Sequence, residues 1–177
     1  MCPMVRRPLG IELSLLGFFA QGPKHGYQIH QLLMDPSGLG LIWHLKQSQL
    51  YALLLKLEND GYIQGVVEIQ DVFTRPLRRL FHLTEKGSST FREWLAQPVP
   101  ALHFVRQEFM AKYYFARLEG GFTVNLLVAN QRRECKEWIR KFTAELDQCE
   151  PRSYGWKMYH YRIGQIESFQ NWMNDIV

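Results

Sequence analysis

The chain has 177 residues, 46% hydrophobic and 14% aromatic, enough for one ordinary domain or two small ones with a real core, and not a disordered tail. Its formal charge of +4 is spread evenly, 10 Lys and Arg against 8 Asp and Glu through Gln97 and 11 against 9 beyond it. Global charge therefore does not announce a nucleic-acid partner, and local clustering has to make that case.

Leu9–Ala20 reads as an apolar helix closed by Gln21-Gly22-Pro23. Glu12 and Ser14 interrupt it, it is too short for a bilayer, and no clean cleavage site follows. The expected compartment is the cytoplasm, with no membrane partner. His25–Leu33 reads as a second helix burying Tyr27, Ile29, Leu32 and Leu33, broken by Asp35-Pro36-Ser37-Gly38. Leu41-Ile42-Trp43 suits a short strand or a buried loop.

A third helix follows at Ser48–Asp60. Leu50, Leu54 and Leu57 form one apolar stripe, Ser48 is the expected N-cap, and Asp60-Gly61 the stop. The opposite face carries Ser48, Gln49, Ala52, Leu55, Lys56 and Asn59. Tyr62–Gln70 and Leu77–Leu83 have strand composition and flank a loop, and Thr84 can cap a helix running to Trp94-Leu95.

Gln97-Pro98-Val99-Pro100 is the clearest boundary, because proline restricts its predecessor. The expected division falls between residues 1–97 and residues 98–177. Beyond the boundary the pattern is purely helical: His103–Leu118, Phe122–Cys149 and Tyr154–Ile176. Three such helices leave much aromatic surface uncovered, and large apolar patches rarely stay exposed on monomers, so self-association is expected.

Three helices followed by a two-stranded hairpin is the order of a winged helix-turn-helix, in which the third helix enters the major groove and the hairpin lies along the backbone. Within that reading, Gln47, Ser48, Gln49 and Ala52 occupy the first turns, which usually reach bases. Gln49 suits adenine, and Lys56 a phosphate or guanine. Arg75, Arg78 and Arg79 sit in and just after the hairpin loop, where phosphates are met. Arg78 and Arg79 cannot both face DNA, since strand residues alternate. The same order also occurs in winged helices that contact proteins, and loop arginines also occur as solvated surface.

Catalysis has little to stand on. His25 and His30 are five residues apart and share no helix face well, and there is no HExxH, GxSxG, P-loop or paired Cys–His. The three cysteines, Cys2, Cys135 and Cys149, are odd in number and form no CxxC pair, so they read as ordinary thiols. No enzyme activity, cofactor or metal is expected.

Three segments resemble the PadR-type transcriptional regulators: LSLLGFFAQGPKHGYQIHQLL (13–33), SQLYALLLKLENDGYI (48–63) and RRLFHLTEKG (78–87). The resemblance implies a mostly α fold, an N-terminal winged helix-turn-helix with a two-stranded wing and a C-terminal antiparallel helical dimerisation domain. It implies a homodimeric, sequence-specific regulator of double-stranded DNA, a repressor possessing a small aromatic effector. The alternative is a virulence-type activator working through a partner protein. It also implies that Tyr51 lies near the DNA backbone, with Lys46–Gln49 at the groove and Arg75–Arg79 as wing. The effector candidates are aromatics near the domain junction: Trp43, Trp94, Trp138 and Trp156. Two departures stand out. Lys46-Gln47-Ser48-Gln49 replaces the family's Ser-Pro-Gly-Ser, and Leu55 replaces a usual Lys or Arg.

Overall fold

The computed structural model describes residues 10–68 and 78–177. Helix α1 (Gly10–Ala20) is buried along almost its whole length, Glu12 and Ser14 included, as a helix apolar on nearly all sides requires. A two-residue strand β1 (Lys24–His25) precedes α2 (Gly26–Met34), and a single 3-10 turn (Leu39–Leu41) leads into a loop with buried Trp43. Helix α3 (Gln47–Asn59) is followed by β2 (Ile63–Glu68), β3 (Arg78–Leu83) and α4 (Glu85–Ala96). The C-terminal half consists of a 3-10 turn (Leu102–Phe104), a π turn (Val105–Phe109), α5 (Met110–Glu119), α6 (Gly121–Asp147) and α7 (Tyr154–Asp175).

The sheet is antiparallel with strand order β1-β3-β2, so the ribbon of β2 and β3 is joined by a third strand that the sequence reading missed. Two residues leave almost no period to read. Lys24 and His25 pair with Phe81 and Leu80, while Ile63 to Glu68 pair in register with Leu83 to Arg78. Thr84 caps α4 as expected, its hydroxyl accepting from the Gly87 N–H at 3.0 Å.

Other expectations need correcting. Helix α3 starts at Gln47 with Lys46 in the cap position, so Ser48 lies inside the first turn. Gln49 supplies the compensation: its side-chain oxygen accepts from the Lys46 N–H at 3.0 Å, the half of a capping box in which the third residue reaches back. Tyr27 is 40% exposed, because it stacks on His25 at the rim of the sheet, ring centroids 5.5 Å apart. The expected single helix His103–Leu118 passes through 3-10 and π turns before becoming α-helical.

The π turn has a readable outcome. Glu108 faces the first half, within hydrogen-bond reach of Trp94, while its neighbour Phe109 is fully buried edge-on to Phe169 of α7 at 4.9 Å. The proline connector packs against the C-terminal helices. Val99 is fully buried, and its N–H donates to the Gln131 side chain of α6 at 2.8 Å. The terminal carbonyls of α4 and the connector are answered from the other half. Asn130 Nδ2 donates to Ala96 O and Lys112 Nζ to Gln97 O, both at 2.7 Å. A lysine at a helix C-terminus also opposes the negative end of its dipole. One continuous core thus runs from Leu15 and Phe91 through Phe115 to Leu127 and Ile166.

Candidate nucleic-acid interface

The leucine stripe of α3 is inside: Leu50, Leu54 and Leu57 are each no more than 1% exposed. Burying three such side chains contributes roughly 1.5–3 kcal/mol apiece, so the helix cannot rotate without losing several kcal/mol. That fixes the opposite flank outward. Among the described residues, Lys46, Gln47, Ser48, Gln49, Ala52, Leu55, Lys56 and Asn59 are all exposed.

Glycine lets the neighbouring helix approach. A Cβ on Gly26 would lie 2.8 Å from the Tyr51 ring, so Tyr51 rests against the start of α2 with 42% of its surface exposed. Tyr51, expected near the DNA backbone, here has a packing role against α2. Between α3 and the sheet lies a cavity of about 370 Å³, lined by Tyr27, Tyr51, Leu55, Glu58, Arg79 and Phe81 among others.

The charges are less available than the sequence suggested. Lys56 Nζ is ion-paired to Glu12 Oε1 of α1 at 2.7 Å, with the Glu12 side chain 5% exposed. Arg79 Nη2 is 2.6 Å from Glu58 Oε1, which also accepts from the Gly65 N–H at 2.9 Å. Arg78 pairs through its backbone with Glu68 at the end of the ladder. Arg75 lies outside the described residues. Glu12 and Glu58 are the site residues that sequence reasoning passed over. The signals were a lone acid in an apolar helix and a glycine, Gly65, inside a strand pattern, which marks close approach of another group.

The four tryptophans do not converge. Trp94 lines a cavity of about 640 Å³ at the junction of the halves, together with Leu13, Pro98, Phe104, Glu108 and Lys112. Its Nε1 donates to Glu108 Oε1 at 2.9 Å, and Lys112 Nζ sits 5.1 Å from its ring centroid. Lys112 is almost fully buried, and desolvation lowers its pKa while the nearby Glu108 carboxylate, 3.5 Å away, opposes the shift. Trp43 is buried behind the loop before α3, Trp138 donates to Glu134 on its own helix, and Trp156 packs on His160 of α7.

Residues 15–93 match the transcriptional regulator PadR-like family. The chain is similar, at 32% identity over 105 residues, to the negative transcriptional regulator PadR of Bacillus subtilis (strain 168). That match covers 59% of this chain and 56% of the relative, so the aligned stretch spans little more than half of the relative's length. Among solved structures the chain is similar to Bacillus subtilis PadR in complex with operator DNA, at 24% identity and a TM-score of 0.48, covering 94% of this chain and 97% of that one. It is also similar to Bacillus subtilis PadR in complex with p-coumaric acid, at 23% identity and a TM-score of 0.43, covering 94% of this chain and 93% of that one.

Proposed function

We propose that this chain is a sequence-specific DNA-binding repressor acting as a cytoplasmic homodimer, with no enzymatic role, a reading supported by the match of residues 15–93 to the PadR-like family. The observation that carries the reading is the locked orientation of α3: its leucines are buried, and its polar flank is exposed beside the antiparallel ribbon. In that arrangement Gln47, Ser48, Gln49 and Ala52 address base edges, Leu55 addresses a thymine methyl, and Lys46 and Tyr51 address the backbone. Arg75 and Arg78 are the wing contacts of this reading.

Two copies would place their reading helices on half-sites one helical turn apart. An open apolar groove of about 800 Å³ supports pairing through the C-terminal half, residues 98–177. It is lined by Leu102, Val105, Tyr161, Phe169 and Trp172. No helix among the described residues is long and apolar enough to cross a membrane.

The effector, in this reading, is a small aromatic molecule in the junction cavity. Trp94 supplies an aromatic wall and Lys112 a buried cation there. Occupancy can change DNA affinity only through different affinities for the two head spacings. Of the four tryptophans, Trp94 is the residue this proposal keeps.

The test is selection of bound duplex from a random pool, followed by binding to the selected site over a salt series. The expected result is an enriched two-fold-symmetric site whose affinity falls steeply with salt. Weak, salt-insensitive binding with no enriched site would overturn the repressor reading in favour of a winged helix acting through a protein partner. Repeating the selection with aromatic acids present tests the effector.

A further inference from the structure

Three elements converge on one carboxylate oxygen. Glu58, in the last turn of α3, accepts at Oε1 from the Arg79 guanidinium of β3 at 2.6 Å and from the Gly65 N–H of β2 at 2.9 Å. The site has been given room. A Cβ on Gly65 would fall 2.9 Å from both Arg79 Nη2 and Glu58 Oε1, so with a larger residue there the two side-chain ends would have to shift. Arg79 also lies over the Phe81 ring, 5.4 Å from its centroid, two residues along the same strand face. Its carbonyl is engaged by His25 of β1 at 3.0 Å. The guanidinium is thus drawn to the reading helix by one carboxylate.

We propose that Glu58 is a charge lock on the wing. It positions β2 and β3 against the end of α3 and holds the Arg79 charge away from DNA phosphates, limiting sequence-independent affinity. This rests on the DNA-binding reading above. Low background affinity for random sequence is what such a restraint gives a regulator, since the competing non-specific sites in a genome are numerous.

Glu58→Gln tests it. Glutamine keeps an acceptor oxygen for the Gly65 N–H and removes the charge that holds Arg79. In full-length protein, affinity for a mixed-sequence duplex should rise about threefold to tenfold at low salt, with the salt slope steeper by about one phosphate. The gain should vanish in the Glu58→Gln, Arg79→Ala double variant, and Arg79→Ala alone should leave the slope unchanged. Gly65→Ala, which crowds the pair apart with both charges kept, should reproduce the gain and serves if Glu58→Gln fails to fold. The assignment is overturned if the slope is unaltered in both variants, if the gain survives without Arg79, or if Arg79→Ala alone flattens the slope. Wild-type protein that binds no duplex at any salt would instead sink the DNA-binding reading. A stability double-mutant cycle between Glu58 and Arg79, needing no DNA, would still report whether the pair is coupled.

Discussion

Lys56 Nζ lies 2.7 Å from Glu12 Oε1, tying the exposed flank of α3 to the buried helix α1 across 44 residues of sequence. The pair turns a residue of the exposed flank into a structural strut. Lys56→Ala should destabilise the fold by about 1–3 kcal/mol, the cost of removing a partner from a buried charged group. The lysine is half exposed, so the loss should fall short of a fully buried pair's. Denaturant unfolding reads it, and Glu12→Gln in the same chain should recover part of the loss. An unchanged unfolding midpoint in Lys56→Ala would show that the strut carries nothing.

Gln49 has a structural duty and a proposed reading duty, and substitution separates the two. Gln49→Ala should lose both the helix start, about 1 kcal/mol, and operator discrimination. Gln49→Glu should keep stability, because a carboxylate at this position still accepts from Lys46 N–H and favours the helix dipole. It should nonetheless weaken DNA binding, through a lost donor and added repulsion from phosphate. Paired melting and binding curves decide; equal binding by Gln49→Glu and wild type would remove the residue from the interface.

Gly17 sits where α1 meets α5. An added Cβ would approach the Phe115 ring to 2.6 Å, and Phe115 is held edge-on by Phe18 and Phe91, centroids 5.4 and 5.6 Å away. A ring so confined cannot step aside, so Gly17→Ala should cost about 1–3 kcal/mol by overpacking. A denaturation midpoint matching wild type would mean that the two helices separate easily.

Tyr161 lines the open groove and is 61% exposed in the single chain. Tyr161→Glu should leave the stability of one copy within about 0.5 kcal/mol, as surface substitutions usually do. Self-association should weaken at least about tenfold, since each 1.4 kcal/mol of lost contact is a factor of ten. Sedimentation over a concentration series measures it. A variant that dimerises as wild type would move the pairing surface elsewhere.

Burial pushes the Cys135 thiol from 9.0 up to about 11; the Gln131 hydrogen bond opposes this and the Glu134 charge adds to it. The folded pKa is therefore the higher one. Stability from the buried neutral thiol is fully present below about pH 9.0 and is lost as pH rises towards about 11. Wild type should lose melting temperature across that window relative to Cys135→Ala, and parallel curves would refute the linkage.

What the sequence revealed followed from periodicity. The leucines of α3 recur at helical spacing, so buried and outward faces could be separated without coordinates, and Thr84 and Gly61 marked real ends. Gly61 takes φ +75°, the left-handed conformation glycine reaches without strain. What stayed hidden depended on partners far away in the chain. Lys56 and Arg79 look like free cations until Glu12 and Glu58 are folded against them. The π turn was equally unreadable, because the apolar pattern of Val105–Phe109 differs too little from an α-helix to show its wider turn. Tyr27 was misplaced inward because its ring is occupied by His25, an interaction created by the short strand β1.

The threading of Val99 into the core changes how a signal can travel. Its backbone is gripped by Gln131, and the adjoining carbonyls are held by Asn130 and Lys112, so the proline segment works as a weld and not as a swivel. A molecule lodged beside Trp94 would have no loose joint to swing. In the proposed homodimer it would have to tilt each protomer as a unit, and the response would be written in the angle between the two copies.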